Sequence, residues 1–384
     1  MKLTVAANDL ARLLDNAKGL VTRGKTSLPI LQNVLLTAEA PDLTLRGTDL
    51  ETTFIGQVTA MVDKPGSLCL PAHKLAEVAK ALPAKNAALE AKAHALVVNA
   101  GATHYRILGP DPADYPPPPE NGATPVSLEG EALLAGLSRV AYATATGEKP
   151  LWTTGVLFEV RADGADLVLR LVATDGHRMA FYDLDLSENV QREALLELGR
   201  TVIVPTKAVS AMGRLLDSGE ATLGLSKKLV TLQAQRDRLY ARPIEAEFAD
   251  YDVVVPKGKG PQAVVNREAL IAVVKRVVLI ESDKTRRLEM KLADGVLVLS
   301  AQDNATGQAN ESLEVVWDGP RVDLSLNGKY LLDACNPLES EEVTIEPGDG
   351  KGPVIITADG CDADAGFKGL IMPMADQRPK GRAK

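Results

Sequence analysis

The sequence predicts an α+β protein: three tandem copies of one domain, each an antiparallel sheet with two helices on one face. Three observations carry this. Alternating runs at 43–49, 167–175 and 297–303 each close on an aspartate, Asp49, Asp175 or Asp303. The aspartates are 126 and 128 residues apart, and a third of the 384-residue chain is 128. A helix-patterned segment precedes each run, at 9–14, 131–137 and 267–274, and a strand running into a second helix follows each, at 70–75, 204–209 and 326–331.

The elements follow in order within a copy. The first helix shows apolar residues at helical spacing, as in Leu10, Leu13 and Leu14. The strands alternate Val, Ile, Leu and Thr with polar residues, a half-buried β pattern. Asp-Gly at Asp175-Gly176 between two such runs is a hairpin signal. The second helix carries Lys74, Lys207 or Lys329, which trail their aspartates by 25, 32 and 26 residues. Copies one and two end in related linkers, Ala113-Asp114-Tyr115 before four prolines and Ala249-Asp250-Tyr251 before Pro256. Proline-rich connections resist helix and suit domain junctions. The expected domains are therefore 1–123, 124–254 and 255–384, the last with a short basic tail.

Composition narrows the function classes. No run approaches the roughly 18 apolar residues that a membrane span needs, and the N-terminus lacks a signal-peptide pattern, so a cytoplasmic protein is expected. The three cysteines, Cys69, Cys335 and Cys361, are far apart, which argues against a disulfide framework or thiolate metal site. The four histidines, His73, His94, His104 and His177, show no helical metal-ligand spacing. No metal and no cofactor is expected.

The net charge is −8, which does not invite nucleic acid. Its distribution does. The six helix-patterned windows (9–25, 72–85, 131–149, 206–217, 267–287 and 328–340) hold 18 basic and 11 acidic residues, against 25 and 40 elsewhere. Helices sharing a surface would present it as positive, able to neutralise phosphates without reading sequence. Arg23, Lys25, Lys149, Lys207 and Lys275 are among the candidates. Aromatic content of 4% disfavours single-strand binding, which needs stacking platforms.

The segment Thr174-Asp175-Gly176-His177-Arg178 gathers an acid, a base and a cation, and a hydrolase centred on Asp175 and His177 is the competing reading. The repeat is an internal control. Thr48-Asp49 and Gln302-Asp303 occupy the same turn without a histidine, so the aspartate reads as structural and a non-enzymatic protein is expected. The C-terminal run 369–374 reads either as a buried edge strand or as a partner pocket, because flexible Met372 and Met374 suit adaptable surfaces.

At 28–31, 47–51, 172–180, 248–251 and 372–374 the sequence resembles the β-subunit family of bacterial DNA polymerase III, the sliding clamps. The resemblance covers about residues 1–374. It implies a head-to-tail homodimer, a ring of six domains around duplex DNA, with twelve helices lining the hole. It implies a tethering role without catalytic residues. It also implies a hydrophobic pocket for linear motifs of the polymerase III α subunit, the clamp-loader δ subunit, other polymerases and repair proteins. The matching pocket positions are Thr174, Gly176, His177, Arg178, Met179, Val254, Asn327, Tyr330, Leu370, Met372, Pro373 and Met374. Departures fall at Thr153, Ala249, Val253 and Ala375, and the loop 348–353 aligns poorly. For DNA, the resemblance implies Lys25 with Arg23 beside it, His73 and Trp152. For the dimer it sets Lys74, Tyr105 and Ile107 of one protomer against Leu279, Ile280 and Glu311 of the other.

Overall fold

The computed structural model describes residues 1–24, 26–120, 125–147, 149–163, 166–186, 201–256, 258, 260–280, 286–303, 305–348, 350, 352–358 and 360–375. Six α-helices lie among them: α1 (Ala7–Lys18), α2 (Ala72–Lys80), α3 (Gly130–Val140), α4 (Thr206–Leu215), α5 (Arg267–Val277) and α6 (Gly328–Cys335). The first helix of each repeat buries one stripe. Its fourth, eighth and eleventh residues are Leu10, Leu14 and Ala17 in α1, Leu133, Leu137 and Val140 in α3, and Leu270, Val274 and Val277 in α5, all buried. The seventh is Leu13, Gly136 or Val273. Glycine stands in α3 because a Cβ there would come within 2.8 Å of the Tyr182 ring.

Packing groups the chain into two compact units, Met1–Leu134 with Asn189–Ile244, and Ala135–Glu188 with Glu245–Lys384. These cut across the boundaries expected near 123 and 254. The cause is sheet continuity, since strands of consecutive repeats hydrogen-bond to one another.

In the first unit, an eight-stranded antiparallel sheet runs from Pro125–Glu129 through Glu220–Leu225, Val230–Ala234 and Asp237–Ala241 to Thr52–Thr59, Asp42–Thr48, Asn33–Glu39 and Gly66–Pro71. The junction between repeats is the pairing of Leu239 with Phe54 and Ala241 with Thr52. Beneath it the Asp237 carboxylate, 7% exposed, receives Arg12 and Asn16 from α1 and the Gln57 amide. A five-stranded sheet ends in the strand Thr103–Leu108.

In the second unit, seven antiparallel strands follow in the order Gly155–Asp163, Asp166–Thr174, Arg178–Asp185, Phe367–Ile371, Val354–Thr357, Glu342–Glu346 and Ala263–Asn266. Here the repeats join at Arg178 opposite Ile371 and Tyr182 opposite Phe367. Phe367–Ile371 is thus an interior strand rather than an edge. Arg139 of α3, 1% exposed, donates to the fully buried Asp364 at 2.6 Å. Asp364 also accepts from the Ser340 hydroxyl and the amides of Ser340 and Glu339. A four-stranded sheet ends in Gly307–Glu314.

Candidate functional site

The turn after each alternating run is built the same way three times. Asp49 Oδ1 accepts from the amides of Glu51 and Thr52, Asp175 Oδ1 from those of His177 and Arg178, and Asp303 Oδ1 from those of Ala305 and Thr306. Thr174 completes the second turn: its hydroxyl donates to the Arg178 carbonyl at 2.6 Å and accepts from the Gly176 amide. Gly176 sits at φ 88°, where a side chain would be strained. The second oxygen of Asp175 takes the Arg178 guanidinium at 3.1 Å. Both carboxylate oxygens are thus engaged by the turn itself, two amides on one and the Arg178 guanidinium on the other.

Arg178 is the structural centre of this turn. Its Nη1 donates to Asp333 of α6 at 2.6 Å and its Nη2 to the Tyr142 carbonyl at 2.7 Å. The guanidinium carbon lies 5.3 Å from the Tyr142 ring centre and 4.4 Å from that of Tyr330. Burial raises the pKa of both phenols, so they stay neutral around the cation.

Beside the turn opens an apolar cleft of about 270 Å³. Its walls come from the turn (Thr174 and Gly176 to Met179), from Leu370 of the last strand and Met372 just beyond it, from Pro353, from Trp152 and from the linker residues Phe248 to Tyr251 and Val254. Met372 is fixed at the mouth by its amide, which donates to the His177 carbonyl at 2.9 Å. Trp152 meets Phe248 edge-on at 5.1 Å, and Phe248 meets Tyr251 at 6.2 Å. The Tyr251 hydroxyl donates to Glu159 at 2.5 Å, and Arg161 joins Glu159 to Asp252 over the same ring. These contacts hold the linker as a wall. Tyr115 plays the same part in copy one, donating to the Asn33 and Arg46 carbonyls under the Arg46 guanidinium.

Eight of the twelve expected pocket residues line this cleft: Thr174, Gly176, His177, Arg178, Met179, Val254, Leu370 and Met372. The other four do not. Asn327 caps α6, its side chain accepting from the Lys329 amide. Tyr330 lies against the Arg178 guanidinium. Pro373 and Met374 line a separate depression of about 480 Å³ with Leu324 and Ser325, where the Met374 amide donates to the Ser325 carbonyl. Trp152, expected at DNA, is a cleft residue. Sequence reasoning passed over Phe248 and Tyr251 as pocket residues, although the Ala-Asp-Tyr linker recurs in two copies. Of the departures, Ala249 lines the cleft, whereas Thr153 is buried elsewhere, donating to the Pro150 carbonyl.

The cationic candidates fall into two groups. Arg23, Lys149 and Lys275 are exposed. Arg23 donates to His73, whose pKa is lowered by burial and by the cations Arg23 and Lys18. Lys207 is instead drawn inward, to Asp49 and to the Leu20 carbonyl at the end of α1. Lys25 lies outside the described residues, as does the tail after Ala375.

The dimer candidates lie at sheet ends. Lys74, Tyr105 and Ile107 border a groove between α2 and the strand Thr103–Leu108, with Lys74 bonded to Glu77 at 2.6 Å. Ile107 is already buried, and Leu108 beside it is 62% exposed. Leu279, 80% exposed, and the half-buried Ile280 follow α5. Glu311 is held by Arg276 of its own chain at 2.6 Å. Among the described residues no group of three or more His, Cys, Asp or Glu is placed to hold a metal ion.

Three family models match the chain in order: the N-terminal domain of the DNA polymerase III β subunit over residues 1–119, the central domain over 127–250 and the C-terminal domain over 252–375. A β sliding clamp of Caulobacter vibrioides is 28% identical over 380 residues, covering 97% of this chain and all of the other. One from Pseudomonas aeruginosa is 29% identical over 381 residues, again covering 97% of this chain. Among solved structures, a sliding clamp from Bartonella birtlesii bound to griselimycin superposes with a TM-score of 0.89 at 27% identity, covering 98% of this chain and all of the other. One from Pseudomonas aeruginosa, also bound to griselimycin, gives 0.86 at 28%, covering 98% of this chain and 99% of the other.

Proposed function

The chain belongs to the DNA polymerase III β-subunit family, the β sliding clamps, and we propose that it works as a head-to-tail homodimer closed around duplex DNA, with the Trp152–Met372 cleft as its partner site. A sliding clamp is a non-enzymatic processivity factor in DNA replication. Its action is topological: the polymerase held on it rebinds at high effective concentration.

The observation that carries the dimer is the way repeats join. Copy one joins copy two through Thr52–Thr59 and Asp237–Ala241, and copy two joins copy three through Arg178–Asp185 and Phe367–Ile371. The equivalent strand of copy three, Gly307–Glu314, and that of copy one, Thr103–Leu108, end their sheets among the described residues. Unpaired edges are templates for another chain, and a heterologous contact that closes makes a ring. Leu279 and Ile280 then enter the groove beside Lys74, Tyr105 and Ile107 of the second copy.

The three sequence domains, 1–123, 124–254 and 255–384, become six in the ring. Their positive helix surface faces the phosphates at Arg23, Lys25, His73, Lys149 and Lys275. The cleft receives short apolar motifs of the polymerase α subunit, the clamp-loader δ subunit and repair proteins, on the nucleoid in the cytoplasm. No described helix is long and apolar enough to cross a membrane. The test is topological. Loaded on a nicked circle, the protein stays bound, and cutting the circle releases it. Equal loss from circular and linear DNA refutes the ring.

A further inference from the structure

The two junctions inside the chain define the register of the one between chains, and they reveal a difference in how that joint is charged. Resting on the head-to-tail reading, we propose that the strand Thr103–Leu108 of one protomer pairs with Gly307–Glu314 of a second copy so that Ile107 faces Gly307, Tyr105 faces Ala309 and Thr103 faces Glu311. We propose with it that Glu311 supplies from its own chain the carboxylate that each internal junction receives from the incoming domain.

The register follows from counting. In both internal junctions the first residue of the outgoing strand, Thr52 or Arg178, lies opposite the fifth residue of the incoming strand, Ala241 or Ile371. The first residue of the third outgoing strand is Gly307, and the fifth of the remaining incoming strand is Ile107. Side-chain direction agrees. Thr103, Tyr105 and Ile107 are the more buried alternation of their strand, as Ala309 and Glu311 are of theirs. A one-residue slip would put each set on the wrong face.

The charge argument starts from the tenth residue of the first helix. It is Asn16 in α1, Arg139 in α3 and Arg276 in α5. Each reaches a carboxylate: Asn16 and its neighbour Arg12 reach Asp237, Arg139 reaches Asp364, and Arg276 reaches Glu311. Asp237 and Asp364 belong to the next repeat, so these contacts cross the junction. The segment 99–108 of copy one holds no Asp or Glu to offer. Asp237 stands opposite Gly56 by the same count, and Glu311 is the counterpart of Gly56 on the outgoing strand. The carboxylate has therefore moved to the other strand of the joint. The inter-protomer seam separates without parting that ion pair, whereas the internal junctions do not.

The test is sedimentation of the full chain. Thr103→Asp sets a second carboxylate opposite Glu311 at both seams, and like charges opposed across strands repel. It is expected to weaken the dimer about tenfold or more. Adding Glu311→Gln frees Arg276 for the new aspartate and restores wild-type affinity or better. Glu311→Gln alone leaves dimerisation within about threefold, since its partner is in its own chain. Thr103→Asp without effect, no rescue by the second change, or loss of the dimer from Glu311→Gln alone overturns the proposal. Cysteines give the register independently of these folds. His104→Cys with Asn310→Cys, exposed residues that face each other, are expected to oxidise to an inter-protomer disulfide. His104→Cys with Gln308→Cys, two residues out of step, are not, and crosslinking by this second pair alone refutes the register. A wild-type chain that sediments as a monomer at every concentration sinks the dimer reading itself.

Discussion

Arg178 is where the catalytic-looking segment and the cleft meet, and its contacts show which reading the chemistry supports. Its guanidinium, with a side chain 9% exposed, spends its donors on Asp175, Asp333 and the Tyr142 carbonyl between two rings. Removing one partner of a buried pair strands the others, which costs about 3 kcal/mol or more. Arg178→Ala is therefore expected to lower the urea midpoint of the chain and to blunt the cleft together. Met372→Asp separates the two effects. Met372 is 45% exposed, so a charge there leaves stability nearly unchanged. It is expected to weaken a bound apolar peptide by about 2 kcal/mol, an interface anchor's share. Trp152 reports the binding directly, and changing the buried Trp317 to Phe makes it the sole indole. Unchanged Trp152 emission on saturation with a clamp-binding peptide would place the peptide elsewhere. The aspartate turn was legible from sequence because three copies could be compared. Asn327 and Tyr330 stand outside the cleft's lining, and family position alone does not say which way a side chain faces. One caps a helix and the other lies on Arg178.

At the scale of elements, the repeat was readable because burial imposes a period. The fourth, eighth and eleventh positions of α1, α3 and α5 must be apolar, and the strands must alternate. The junctions were not readable, because strand pairing between repeats leaves no local pattern: Leu239 against Phe54 is 185 residues away in sequence. The buried Asp364 makes the second of these junctions acid-sensitive. Burial by itself would raise the Asp364 pKa, but the Ser340 hydroxyl and amide, the Glu339 amide and Arg139 hold it below the ordinary value. A carboxyl depressed in the folded state adds stability above its unfolded pKa, and that stability is lost as pH falls through the folded one. Asp364→Asn is expected to remove this part of the acid dependence and to destabilise the chain at neutral pH. Urea titrations of both proteins across pH 3–7 would show parallel curves if the carboxylate carried no such linkage.

For the whole molecule, an acidic chain must hold DNA without binding it site by site. The ring resolves this if the charge that matters is the charge facing the hole. Much of the helical cation excess is internally committed: Arg12 to Asp237, Lys18 and Lys80 to Asp15, Lys207 to Asp49 and Arg276 to Glu311. Among the described residues Arg23, Lys85, Lys149, Lys275 and Lys329 stay exposed, with His73 beside Arg23, a thinner set to offer phosphates. Few phosphate contacts mean a shallow salt dependence for direct DNA binding, since the slope counts the phosphates neutralised. On the proposed ring, retention on a closed circle depends on the seam instead, a seam assigned to strand pairing with Leu279 and Ile280. Two measurements should therefore come apart. Changing both Arg23 and Lys25 to Glu is expected to abolish measurable affinity for linear duplex while loaded rings stay on circles for nearly as long. Leu279→Asp is expected to do the reverse, shortening retention on circles more than tenfold through a weaker dimer while barely changing the affinity of the subunit for linear DNA. If both variants shortened retention in proportion to their loss of linear affinity, electrostatics rather than topology would be holding the DNA.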